Sequence, residues 1–187
     1  MNWETSIVKS WNTWGASHLS LVKFIANDFV YLAIALGLAT FLYSQIKHST
    51  KPFLSALNIR ITIAEGLLGV AFPVIVATVL SEILSKLFDR ARPFAAHPDI
   101  KPLFPHGADG GFPSHHMVFT MALAVCVLSF HRNIGTILVI MTVLSGIFRV
   151  VAGIHYPTDI FVGILIGAII PPLFKKFLDL LHISLKR

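Results

Sequence analysis

The sequence predicts an all-α fold, a polytopic membrane helix bundle with about five transmembrane helices and an N-terminal interfacial helix. Composition carries the first part of that reading. Of 187 residues, 55% are hydrophobic and 13% charged, with a mean hydropathy of +0.77, whereas a soluble domain has about 25% charged residues. The apolar content exceeds what one small soluble core can bury. It also falls in stretches of helix length separated by polar breaks. At about 20 residues per span, the chain has room for five or six spans and no large extramembrane domain. A disordered chain, a nucleic-acid-binding tail and an ordinary soluble enzyme are excluded. Residues 1–187 read as one domain.

Residues 1–22 are too polar to span. Ile7, Trp11, Trp14, His18 and Leu21 share one helical face with Trp3 nearby, as in a helix lying at the membrane interface; a polar leader is the other reading. The first span covers about 29–46 and ends in a polar break at Lys47, His48, Lys51 and Pro52. A longer apolar stretch, about 59–88, contains Glu65, Pro73 and Glu82. The longest polar segment, 89–113, is rich in Pro, Gly, Asp and His. Three further spans follow at about 114–130, 134–152 and 158–174, joined by short turns at 131–133 and 153–157. Tyr156-Pro157 is suited to turning the chain into the last helix.

Five spans place the termini on opposite sides. Eight basic residues fall on the side of the C-terminus and seven on the side of the 89–113 loop. With Arg92 and Arg149 reserved for binding an anion, the bias becomes eight against five, and the positive-inside rule puts the loop outside. The net charge of +6 comes from scattered basic residues, so nucleic acid is not expected as a partner. Cys126, the single cysteine, lies in an apolar run and excludes an intrachain disulfide. The first fifteen residues lack the charged and apolar regions of a cleaved signal peptide.

The loop and the 149–159 segment bring Arg92, Ser114, His115, His116, Arg149, His155 and Asp159 to one membrane face. Polar residues gathered there mark a site. Two arginines offer planar forks for phosphate oxygens. Ser114 opens an apolar helix as its N-cap, and the first-turn N–H groups form an anion seat. Two histidines can divide nucleophile and acid roles. His155 and Asp159, four apart, would meet on one face if the helix were continuous there, with the carboxylate orienting the imidazole; a structural histidine capping the helix is the other reading. His and Asp as metal ligands is the competing reading, opposed by two arginines that would repel a dication.

Arg92-Pro93, Pro113-Ser114-His115-His116 and Arg149-x5-His155-x3-Asp159, in that order, resemble the three-part signature of the type-2 phosphatidic acid phosphatase superfamily. The stretch RPFAAHPDIKPLFPHGADGGFPSHH with GIHYPTDI is similar to the bacitracin-resistance type of undecaprenyl-diphosphate phosphatase. The close resemblance covers about residues 85–165. It implies His155 as nucleophile through a phosphohistidine, Asp159 as its orienting group and His116 as acid and then base. Arg92, Ser114, His115 and Arg149 would hold phosphate, with no metal and no cofactor. It further implies a polyprenyl diphosphate lipid as substrate and no obligate protein partner. The active site would face the exterior of a bacterial cytoplasmic membrane, recycling the carrier lipid of cell-wall synthesis.

The chain departs from the superfamily pattern at Ser85, where a lysine is usual, at Phe148 and at His115. Lys86 reaches the site, or Arg90 substitutes, or Lys86 merely pairs with Glu82. Glu65 belongs to a proton path or is simply a hydrogen-bonded glutamate in the bundle. Gly163 and Gly167 serve close helix packing or dimerisation. His97, His106 and Asp109 shape the loop or touch substrate. The alternatives for function are a phosphatase of phosphatidylglycerol phosphate, diacylglycerol diphosphate or lipid A, and a small anion transporter. A transporter would place its basic residues nearer mid-membrane.

Overall fold

The computed structural model describes residues 2–49 and 67–181, and every regular element among them is helical. Helix α1 (Trp3–Ala16) precedes α2 (Leu19–Lys23), a π-helical segment (Phe24–Asp28) and α3 (Phe29–Ser49). A second π-helical segment (Leu67–Ala71) leads into α4 (Phe72–Phe88). A four-residue α5 (Pro93–Ala96) interrupts the polar loop, and α6 (His115–Phe130), α7 (Arg132–Val151) and α8 (Pro157–Leu180) complete the chain. Glu65 and the 50–66 connection lie outside the described residues, as do Lys186 and Arg187.

Among the described residues, four stretches are long and apolar enough to cross a membrane: Leu19–Ser44, Leu68–Ala96, Arg132–Val151 and Pro157–Leu180. The first corrects the expected boundary of the N-terminal helix. That helix ends at Ala16, and residues from Leu19 onward already run continuously into the first span. Leu21 therefore leaves the face it was expected to share with Trp11 and Trp14. The expected five spans become four on length, because α6 has only 16 residues.

Helix α6 is the hub. It packs against α8, α7, α4 and α3, and all residues from Met117 to Val127 except the half-buried Phe119 and Val125 are buried. A helix apolar all round belongs in the middle of a bundle. The outer helices turn large apolar side chains outward instead, among them Leu38, Ile75, Ile140, Phe161 and Leu173. With no water in hydrocarbon, such faces suit lipid.

The small-residue stripe on α8 is what lets it approach the hub. A Cβ on Gly163 would fall 2.9 Å from the Ser114 carbonyl oxygen, and one on Gly167 would fall 2.6 Å from that of Val118. Gly163 and Gly167 therefore serve intramolecular packing. Between α7 and α8 the chain reverses through Gly153, whose φ of 74° is a conformation that favours glycine. Tyr156 is the N-cap of α8, Pro157 its first residue.

Antiparallel connections bring the ends of α4 and α7 and the starts of α6 and α8 to one end of the bundle. The 89–113 loop is tied down over that end. Gly111 N–H donates to the Arg90 carbonyl (2.7 Å) and Leu103 N–H to that of Ala152 (3.1 Å). Helix α1 lies across it, and Asn12 Nδ2 donates to the carbonyls of Lys101 (3.0 Å) and Val151 (3.1 Å). Overpacking at a close helix contact costs about 1–3 kcal/mol. Gly167→Leu is expected to lower the unfolding temperature in detergent by a corresponding amount. Leu165→Ala, on the outward face, should leave it nearly unchanged.

Candidate active site

His155 stands in the short turn before α8, buried at 2% exposure. Its Nδ1 lies 3.0 Å from the Gly111 carbonyl oxygen, which can only accept. Its Nε2 lies 3.1 Å from Arg92 Nη1, which can only donate. These partners fix the tautomer: Nδ1 carries the proton and Nε2 keeps a free lone pair. Ser114 Oγ sits 3.3 Å from the same Nε2. Ser114 occupies the N-cap position of α6 but makes no capping hydrogen bond with its side chain. That corrects the capping expectation: its hydroxyl is turned to His155.

The turn expected at 153–157 separates His155 from Asp159, because α8 begins at Pro157. Asp159 reaches back from the first turn of α8. Its Oδ2 accepts from Tyr156 N–H at 2.7 Å and stands 3.6 Å from His155 Nδ1. The hydrogen bond that sets the imidazole is thus the one to Gly111, with the carboxylate alongside.

The two arginines are both buried. Arg92 Nη1 also donates to the Ile154 carbonyl (3.1 Å) and Nε to that of Asp109 (2.9 Å), so the loop and the α7–α8 turn aim its fork. Arg149 Nη1 donates to the Ala26 carbonyl at 2.8 Å, which Ser145 Oγ also reaches at 3.1 Å. Ala26 lies in the π-helical segment Phe24–Asp28. The i→i+5 pattern there departs from the regular ladder, as at many functional sites. Arg149 Nη2 donates to His116 Nδ1 at 3.0 Å, leaving the Nε2 edge of His116 for its proton in the neutral ring. Arg149 Nε is buried with no partner among the described residues.

The structure therefore brings Arg92, Ser114 and His155 into direct contact, pairs His116 with Arg149, and sets Asp159 behind His155. Lys86 is not brought in. It pairs with Glu82 at 3.1 Å and its side chain is 77% exposed. The His115 ring turns toward Glu82 as well, Nδ1 to Oε2 at 3.6 Å, so the backbone N–H in the first turn of α6 is what it offers the cluster. Arg90 joins the rear of the site. Its Nη1 donates to Asp159 Oδ1 (2.8 Å) and Thr158 Oγ1 (2.7 Å), and its guanidinium lies 4.1 Å over the Tyr156 ring.

Glu4, buried on α1, was missed as a site residue; its Oε2 accepts from Arg90 Nη2 at 2.7 Å. A stripe of Glu4, Val8, Asn12 and Gly15, all buried, runs opposite the exposed tryptophans and is the sequence signal that marks this second face. The Gly111 and Ala26 carbonyls act through the backbone and leave no signal. Of the loop residues left open, His106 comes nearest, its ring 6.3 Å from that of His155. His97 faces Thr5 at 3.3 Å. Asp109 Oδ1 stands 3.6 Å from Arg92. Among the described residues no three of His, Cys, Asp and Glu converge as a metal site would require.

Burial and the charges of Arg92 and Arg149 push His106 down to about 4. Burial first, then Arg149 and Arg92, hold His155 well below its ordinary value of 6.5. Both imidazoles are neutral at neutral pH.

The sequence pattern of the PAP2 superfamily matches residues 66–180. The chain belongs to the PAP2 superfamily. It is 36% identical over 117 residues to the undecaprenyl-diphosphatase BcrC of Bacillus subtilis, a match covering 63% of this chain and 58% of that protein. The chain thus spans little more than half the length of that relative. It is 32% identical over 154 residues to the putative undecaprenyl-diphosphatase YbjG of Escherichia coli, covering 81% of this chain and 69% of the other. In fold it is similar to the crystal structure of a transmembrane PAP2-type phosphatidylglycerolphosphate phosphatase from Bacillus subtilis. That comparison has a TM-score of 0.58 at 21% identity, covering 98% of this chain and 87% of the other.

Histidine nitrogen chemical shifts in detergent-solubilised, substrate-free protein test the site's electrostatics. His155 is expected to stay neutral with Nδ1 protonated as pH falls through 6.5, because its depressed value moves protonation to lower pH. An imidazolium signal from His155 at pH 6.5 would contradict this geometry.

Proposed function

We propose that the protein is a membrane lipid phosphatase that removes the terminal phosphate of undecaprenyl diphosphate. The observation that carries this reading is the unprotonated Nε2 of His155 set against the buried forks of Arg92 and Arg149. Arg149 adds a buried N–H that lacks a partner among the described residues. A neutral nucleophile beside two cations is arranged to meet an anion. The family and the two named relatives support phosphate as that anion and a diphosphate lipid as its source.

In the first step the Nε2 lone pair forms a bond to the terminal phosphorus. The bond from phosphorus to the bridging oxygen breaks, and its electron pair leaves with undecaprenyl phosphate. With phosphate bound beside it His116 takes up a proton, and it gives that proton to the leaving side. In the second step water attacks phosphorus, the P–N bond breaks, inorganic phosphate leaves and His116 takes a proton from the water. Arg92, Arg149, Ser114 and the first N–H groups of α6 hold the phosphoryl oxygens, where charge builds up most.

For topology, α6 joins the four longer stretches as a fifth crossing, its 16 residues giving about 24 Å at 1.5 Å per residue. The exposed face of α1, with Trp3, Trp11 and Trp14, lies at the membrane interface. The site then faces the exterior of a bacterial cytoplasmic membrane and returns carrier lipid for cell-wall synthesis.

Phosphate release by purified protein tests this reading across undecaprenyl diphosphate, phosphatidylglycerol phosphate, diacylglycerol diphosphate and lipid A in one detergent. Turnover should be highest on undecaprenyl diphosphate, abolished by His155→Ala and lowered about 10²–10⁴-fold by His116→Ala. Arg149→Ala should lower it about 10²–10³-fold, and chelators should change little. Near-parent activity in His155→Ala, or strict need for an added divalent metal, would remove the mechanism. A cysteine placed at Gly110 should be labelled by impermeant reagents from outside the cell; labelling from the cytoplasmic side alone would invert the topology.

A further inference from the structure

Helix α1 lies outside the 66–180 region that matches the superfamily pattern, yet it delivers a carboxylate to the rear of the site. Glu4 Oε1 accepts from Thr158 N–H (3.1 Å) and from the Thr158 hydroxyl (2.6 Å). Its Oε2 accepts from Arg90 Nη2 (2.7 Å), and Arg90 Nη1 passes on to Asp159 Oδ1 (2.8 Å). Asp159 Oδ2 stands 3.6 Å from His155 Nδ1. Charge-assisted hydrogen bonds run from α1 to Asp159, whose other oxygen stands beside the imidazole.

A surface anchor does not need this. Burying a carboxylate is unfavourable unless it is paired and hydrogen-bonded. Burial alone would raise the Glu4 carboxyl, but hydrogen bonds from Thr158 and Arg90 outweigh it and keep the value below ordinary. Glu4 is therefore charged at neutral pH. Formal charges then sum to minus one for Glu4, Arg90 and Asp159 together, and to zero for Arg90 and Asp159 without Glu4. When Nε2 bonds to phosphorus while Nδ1 keeps its proton, the ring gains a positive charge. The two cations that hold phosphate, Arg92 and Arg149, oppose that charge. A net negative group behind Nδ1 offsets it.

We propose that Glu4 is a positioning residue of the active site, which through Arg90 holds Asp159 beside His155 and leaves a net negative charge behind the ring. The inference rests on His155 being the nucleophile. Helix α1 thereby belongs to the catalytic unit as well as to the membrane interface.

The test is rapid quench into alkali, where phosphohistidine survives, using the purified full chain in detergent and undecaprenyl diphosphate labelled on the terminal phosphate. Burst amplitude counts competent enzyme, and burst rate reports phosphorylation. Glu4→Gln should keep the parent amplitude and lower the rate about 10- to 100-fold, with KM changed less than about threefold. In an Arg90→Gln background, which cuts the path, Glu4→Gln should add little further slowing. A parent burst rate in Glu4→Gln overturns the proposal, as does equal slowing in both backgrounds. Lost amplitude at an unchanged rate also overturns it, since Glu4 would then serve folding alone. If Glu4→Gln does not fold, Glu4→Asp decides instead, because it keeps the charge at shorter reach. Slowing at parent amplitude that disappears in the Arg90→Gln background then supports the proposal, while a parent rate or additive slowing overturns it. Absence of a burst in the parent, or its survival in His155→Ala, would defeat the functional reading instead.

Discussion

Two guanidinium groups buried at one end of an apolar bundle set the terms for everything around them. Arg149 is 1% exposed and Arg92 7% exposed, and an uncompensated charge at such depth would be prohibitive. Neutral acceptors supply the compensation for Arg149. It donates to the Ala26 carbonyl and to His116, and no carboxylate among the described residues accepts from it. Arg92 leans on the carbonyls of Asp109 and Ile154 and on His155, with the exposed Asp109 carboxylate only at 3.6 Å. Dipoles satisfy these N–H groups, Arg149 Nε excepted, without cancelling the charge. The site keeps a positive field, and its desolvation is completed on folding, before any anion arrives.

That arrangement explains why the acidic groups stand where they do. Glu4 and Asp159 are both buried, yet Arg90 takes both of them on the Nδ1 side of His155, whose Nε2 faces Arg92. A carboxylate shared directly with Arg92 or Arg149 would compete with phosphate for the same fork. With Arg90 between them, the carboxylates act on the imidazole and leave the anion-binding donors open. The imidazole thus lies between a cationic front and an anionic rear. Its tautomer is set by a backbone carbonyl that carries no net charge.

Composition and helix-length apolar runs were enough to predict an all-helical bundle, and residue types at helix ends were enough to gather Arg92, Ser114, His116, Arg149, His155 and Asp159. These features are legible because charge in an apolar chain is scarce, so each instance stands out. What was illegible falls into two kinds. Backbone acceptors such as Gly111 and Ala26 act through geometry that any residue type could supply, and the π-helical turn at Ala26 has no side-chain signature. Glu4 was hidden for a different reason. The aromatic face of α1 dominated the periodicity, while its opposite face, small and polar, resembled ordinary solvent-facing residues. The i,i+4 spacing of His155 and Asp159 left their geometry open in a related way: Tyr156-Pro157 starts the helix after the histidine, and the carboxylate reaches back to it.

The site's place at helix ends follows from the membrane itself. Inside hydrocarbon backbone groups are satisfied within their own segment, so spare N–H and C=O groups are found where helices begin or stop, or where a π-helical turn breaks the ladder as at Ala26. A phosphate site needs both, donors for the anion and acceptors to hold the arginines. Antiparallel packing brings the starts of α6 and α8 and the ends of α4 and α7 together, and the tied-down loop adds the carbonyls of Asp109 and Gly111. Close approach of α8 to α6, permitted by Gly163 and Gly167, sets the distance between the two helix starts. On the proposed function the chemistry is thereby confined to the headgroup level, where a lipid phosphate lies while its tail stays in the bilayer. Such a site reads the phosphate closely and the tail hardly at all, since the outer faces of the helices offer hydrocarbon only more hydrocarbon. Discrimination among lipids must then come from the part of the headgroup next to the reacting phosphorus. There the loop residue His106, neutral and under the charges of both arginines, is the loop side chain whose ring stands near that of His155.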